Sequence, residues 1–188
     1  MEKELSGYHG TNQKNFKFIQ KFGFKKQVSD FSFPNDLGFG AYFYLDREIE
    51  NEGKSNAKKY VIKYKKHYAG KVVLIVPMLI NEDRILDFND PIAAASLEEF
   101  IQDNYDLIIR KLEEFDKKSK AYNRGNFDGI AIDLYIEHYG FDVDIVLKDT
   151  FTEFDDYRRS NFCNGREICV KNTETIDVTN VRILEYVY

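Results

Sequence analysis

Apolar positions in this 188-residue chain follow two periods. Where they alternate or run unbroken they predict strands, and where they recur every three or four residues they predict helices. "ELSGYHG" is the first expected strand, and "QKNFKFIQKF" follows as a helix closed near Gly23. After a polar loop to about Asn35, "AYFYL" alternates strictly, with Ala41, Phe43 and Leu45 on one face and Tyr42 and Tyr44 on the other. Residues 47–67 read as helix. "KVVLIVPMLI" is an unbroken Val/Ile-rich run, the signature of a strand covered on both faces. "RILDF" is a shorter strand.

Asp90 and Pro91 then form an N-cap and first helical position, and Ser96 with Glu99 fits a capping box. Ile101, Tyr105, Ile108, Leu112 and Phe115 continue at helical spacing, predicting one long amphipathic helix to about Lys120 that covers the core. "FDGIAI" and "DVDIVL" read as strands around a short helical "LYIEHY", and "REICVKN" and "VRILEYVY" as the last strands. Strands outnumber helices and do not interleave regularly with them. The expected class is therefore α+β with a mixed or split sheet.

Three prolines, no repeat and no low-complexity segment indicate a single domain over 1–188, with a helical insertion at about 91–122. Net charge is −5, and no basic block marks a nucleic-acid-binding chain. Cys163 and Cys169 fit neither a zinc nor a disulfide spacing, so reduced thiols and a cytoplasmic setting are expected. The N-terminus has no apolar signal region, although secretion without one stays open. The longest apolar run has nine residues, too few to span a bilayer, so no membrane partner is expected.

Three polar residues stand on strand faces beside apolar neighbours. His9 sits between Gly7 and Gly10, on the face opposite Tyr8. Tyr42 follows the flexible "GFG" of Gly38 to Gly40, and its ring could stack on a flat heterocycle. Glu167 lies mid-strand, on the face away from Ile168 and Val170. The G-x-G is not a dinucleotide fingerprint, because the third glycine is missing and a strand, not a helix, follows. No spacing of metal ligands occurs.

Together, "HGT" (His9, Gly10, Thr11), "GFGAYF" (Gly38 to Phe43), Tyr60 in "SNAKKY" and Glu167 in "REICVKN" resemble the H-Y-E class of ADP-ribosyltransferases. That group includes poly(ADP-ribose) polymerases and diphtheria-toxin-like enzymes, and the "DLGFGAYFYLD" form is similar to small bacterial domains of the superfamily. The resemblance implies a split mixed or antiparallel sheet with flanking helices and NAD as co-substrate, without a metal. Gly10 would bind the nicotinamide carboxamide, with Gly40 beside it. Tyr42 and Tyr60 would sandwich the ring, and His9 with Thr11 would hold the adenosine-side ribose. Glu167 would bind the nicotinamide ribose and favour charge developing at its anomeric carbon.

Ala57 stands where family members often carry a serine, and Ser55 is the candidate substitute. Gly165 replaces the first glutamate of the Glu-x-Glu pattern of arginine-modifying toxins. The loop before Glu167, with Phe154, Tyr157, Arg158 and Arg159, is the expected acceptor-recognition segment. Three function classes compete. One is mono-ADP-ribosylation of a macromolecule, protein favoured over nucleic acid, by a bacterial or phage toxin or effector subject to an inhibitor or antitoxin. The others are NAD hydrolysis at the same site and a non-enzymatic interaction module with a degenerate site.

Overall fold

The structure is a computed structural model that describes residues 1–26, 33–115, 126–155 and 160–188. Seven strands form one mixed sheet: β1 (Glu2–Asn12), β2 (Ala41–Leu45), β3 (Lys71–Asn81), β4 (Ile85–Asp87), β5 (Ile145–Thr150), β6 (Gly165–Val170) and β7 (Arg182–Val187). Their order is β4-β5-β6-β2-β1-β3-β7, with only β4 and β5 parallel. Among the described residues five α-helices accompany them: α1 (Gln13–Phe22), α2 (Glu52–Tyr64), α3 (Pro91–Asp103), α4 (Tyr105–Glu113) and α5 (Asn126–Tyr139). The expected α+β class is what the chain adopts.

β3 is the spine. Val72, Leu74, Val76, Met78 and Ile80 point into one core with Phe43, Ile168 and Val170, closed by Ile19 of α1 and by Ile176 and Val181. Val73 points the other way, under α2, with Ala57, Val61 and Tyr44. Each such side chain, taken fully out of water, contributes about 2 kcal/mol, so the strand holds a layer on either side. The rest of that second face, over β5 and β6, is covered by α3, α4 and α5 through Leu97, Phe100, Ile108 and Ile132.

Local chemistry sets the helix ends. Asn12 caps α1 by accepting from the Asn15 amide at 2.7 Å, and Gly23, at φ 73°, ends it. Asp90 caps α3 as expected, with Pro91 in its first turn. Four expectations change, the first being the Ser96–Glu99 capping box, since both residues lie inside α3 and Ser96 Oγ accepts from the Tyr135 hydroxyl at 2.9 Å. The helix expected over 47–67 begins only at Glu52, because Asn51 sits at φ 62°. The long helix breaks at Asn104 (φ −119°, ψ 20°) into α3 and α4, and its expected end near Lys120 lies outside the described residues. "FDGIAI" is not a strand but the first part of α5. Ile130, Ala131 and Ile132 are all buried, because this helix is enclosed between the sheet and α3–α4. Over this run the helix is buried all round and shows no polar stripe, while Asp128, Glu137 and His138 stay exposed.

One junction in the sheet is thin. β1 pairs with β3 over its whole length, but with β2 only at Tyr8↔Tyr44. Beyond that pair the two central strands diverge, and the gap is the mouth of a cleft.

Candidate functional site

The cleft has a volume of about 840 Å³. One wall is Tyr8, His9, Gly10 and Thr11 of β1, and the other is Gly40 to Tyr44 leading into and along β2. Tyr60 and Tyr64 of α2 line it, as do Phe18 of α1, Glu167 of β6 and Thr152 just after β5. The fold thus brings His9, Gly10, Thr11, Gly40, Tyr42, Tyr60 and Glu167 to one cavity. Ser55 is not among them: it is exposed on α2, outside the cleft. Phe154 packs against Tyr44 at 6.3 Å between ring centroids. Tyr157, Arg158 and Arg159 lie outside the described residues.

His9 bridges the gap where the backbones part. Its Nδ1 lies 2.9 Å from the Tyr42 carbonyl oxygen. A carbonyl only accepts, so Nδ1 carries the proton and donates. Burial against Phe24 and Phe43 lowers the imidazole pKa, so neutral His9 keeps Nε2 as an acceptor. Thr11 is committed locally, its hydroxyl accepting from Asn15 Nδ2 at 3.2 Å.

Tyr42 and Tyr60, the two rings of the expected sandwich, both line the cleft. Tyr42 turns its hydroxyl back on its own turn, donating to the Gly38 carbonyl at 2.8 Å and accepting from the Leu37 amide at 2.9 Å. The β2 ring that meets Tyr60 is that of Tyr44, 6.3 Å away. Tyr44, to which sequence pattern gave no role, is also the register partner of both Tyr8 and Glu167. Lys148 pairs with Glu167 on the other side. A single row therefore crosses four strands: Lys148, Glu167, Tyr44, Tyr8.

Glu167 Oε1 accepts from Thr150 Oγ1 at 2.8 Å and from Thr152 Oγ1 at 2.7 Å. Tyr44 lies 3.1 Å from the same Thr152 oxygen. Burial and the adjacent Glu167 carboxylate push the Tyr44 phenol well up, so it stays protonated. Sequence reading also missed Asp36. It sits half-buried in the cleft, where burial and the charges of Glu167 and Asp128 push its carboxyl up to about 7. The signal was local, since Asp36 opens the "DLGFG" turn, but its exposure to Glu167 depends on strands far apart in sequence.

The two glycines of that turn answer to the chain itself. Gly38 has φ 85°, a conformation that favours glycine. A side chain there would also strike Lys171 Nζ and Asp133. Lys171 Nζ donates to the Leu37 carbonyl and to Asp133 Oδ1, both at 2.7 Å, while Asp133 Oδ2 accepts from the Phe39 amide at 2.7 Å. At Gly40 a side chain would meet Cys169 Sγ. β6 and α5 thus approach the backbone closely at these glycines.

No protein-family model matches the chain, and no curated protein matches it. Among the described residues, no group of three or more His, Cys, Asp or Glu side chains comes together to hold a metal ion. None of the helices formed by those residues is long and apolar enough to cross a membrane.

Proposed function

We propose that this chain is an NAD-dependent mono-ADP-ribosyltransferase that modifies a macromolecular acceptor, with protein favoured. One observation carries the reading: His9, Gly10, Tyr42, Tyr60 and Glu167, distant in sequence, line one cleft at the seam between β1 and β2. The narrow junction at Tyr8↔Tyr44 is compatible with the split sheet that the resemblance implies.

The charges of the cleft suit the same ligand. Lys65 lies close enough to His9 to oppose its protonation, and Lys25 lines the same cavity. Asp36, Asp128 and Glu167 act on one another elsewhere in it. NAD⁺ carries an anionic pyrophosphate and a cationic nicotinamide ring, so a cleft with separated signs complements it. Neutral His9, with Nε2 free to accept, suits a ribose hydroxyl. Glu167 would accept from the nicotinamide ribose through an oxygen its threonine partners leave open.

In the reaction the C1″–N bond of NAD⁺ breaks and its electron pair stays on the ring nitrogen, which leaves as neutral nicotinamide. The acceptor's nucleophile bonds to C1″ and gives up its proton to a nearby base, for which Asp36 is suited. A fixed carboxylate beside C1″ favours the positive charge that develops there.

The test is incubation with labelled NAD⁺ and a cell lysate, with and without nuclease. Nicotinamide release with label on protein is expected, falling about 100-fold or more in Glu167→Gln. Nuclease-sensitive label would move the acceptor to nucleic acid, and free ADP-ribose alone would make water the acceptor. An unchanged rate in Glu167→Gln, or no cleavage of NAD⁺ by the native chain, overturns the reading.

A further inference from the structure

Glu167 is held through one oxygen only. Both threonine hydroxyls point at Oε1, and among the described residues Oε2 has no hydrogen-bond partner. Because Thr152 gives its proton to the carboxylate, its oxygen must accept from Tyr44, so the chain runs Tyr44 to Thr152 to Glu167. Such a chain fixes the carboxylate of a residue that lines the cleft.

Thr152 is itself set by an unusual clamp. The Asn164 carboxamide donates to the Thr152 carbonyl at 2.8 Å and accepts from the Thr152 amide at 2.9 Å. A side chain thereby imitates the paired bonds of a strand neighbour. Asn164 is anchored in turn by its own amide on the Thr150 carbonyl, 2.9 Å, and by Asn56 Nδ2 of α2 on its carbonyl, 2.9 Å. This network closes the base of the loop that joins β5 to β6, and its end product is the place of one hydroxyl.

We infer that Thr152 is a positioning residue for Glu167 and that Asn164 acts through it. The inference rests on the proposed role of Glu167 in the reaction, but its geometry does not. Without the Thr152 hydroxyl, Oε1 keeps the Thr150 bond alone, a single pivot about which the carboxylate can turn, and misplacement of a reacting group by about 1 Å can cost up to roughly 100-fold in rate.

The experiment compares the native chain with Thr152→Val, Thr152→Ser and Asn164→Leu, by steady-state nicotinamide release and by crystal structures. Thr152→Val and Asn164→Leu are expected to lower kcat roughly 10- to 100-fold with KM for NAD⁺ nearly unchanged. Thr152→Ser keeps the hydroxyl and should restore most of the rate. In the crystals, Glu167 should hold one conformer in the native chain and in Thr152→Ser, and leave it in the other two. Should Thr152→Val not fold, Asn164→Leu carries the same reading. Glu167 unmoved in Asn164→Leu and Thr152→Val overturns the inference, as does a serine variant as slow as the valine one. If the native chain cleaves no NAD⁺ yet Glu167 shifts as described, the proposed function fails and the positioning role stands.

Discussion

Lys171 Nζ lies 2.7 Å from Asp133 Oδ1, and the pair sits directly beneath the turn that presents Asp36. Lys171 is buried at 9% exposure, so its charge is matched by this carboxylate and the Leu37 carbonyl rather than by water. Removing one partner of such a pair leaves the other uncompensated. Lys171→Met is expected to cost about 3 kcal/mol in urea unfolding. Adding Asp133→Asn should recover part of that loss, because no unpaired charge remains. A single variant as stable as the native chain would mean the turn is held by other contacts.

Asp36 should make stability depend on pH in a particular direction. Its carboxyl ionises near 7 in the folded state, above the ordinary value of about 4. The native chain therefore binds a proton that the unfolded chain releases between about pH 4 and pH 7. This contribution is full below that window and declines as pH rises through it. Asp36→Asn removes the dependence. Its melting temperature should exceed the native one at pH 8 and lose most of that advantage at pH 5. Glu167→Gln should move the native transition down, since the Glu167 charge is one of its causes.

Gly10 is held to glycine by a helix. A side chain there would meet the Ala57 carbonyl and Val61 of α2. Gly10→Ala should push α2 outward, costing about 2 kcal/mol as overpacking does. Tyr60 rides on that helix, so NAD⁺ affinity should fall as well. Calorimetry with NAD⁺ and a denaturant curve measure the two effects separately. Normal stability with lost binding would point instead to direct contact between the Gly10 backbone and the ligand.

Much of this was legible along the chain. The alternation of "AYFYL" separates Phe43, in the core, from Tyr42 and Tyr44 on the other face, because a strand has a period of two whatever surrounds it. The clustering of His9, Tyr42, Tyr60 and Glu167 in one cleft also agrees with the order of the motifs. What sequence could not give was non-local. A buried helical run such as residues 129–132 of α5 carries the same apolar pattern as a strand. Gly38 and Gly40 signal close approach but not by what, and here it is Lys171, Asp133 and Cys169. The parts played by Asp36, Thr152 and Asn164 exist only once β2, β5, β6 and α2 are side by side.

The single pairing of β1 with β2 gives the sheet a mechanical character of its own. On one side stand β4, β5, β6 and β2; on the other, β1, β3 and β7. The chain passes between these halves after β1, after β2, after β3 and again after β6, so neither half is a continuous piece that could fold alone. They are laced together by covalent crossings while their shared ladder consists of Tyr8 and Tyr44 alone. Along that one line the halves are joined by covalent crossings more than by backbone hydrogen bonds, and the line is the mouth of the cleft.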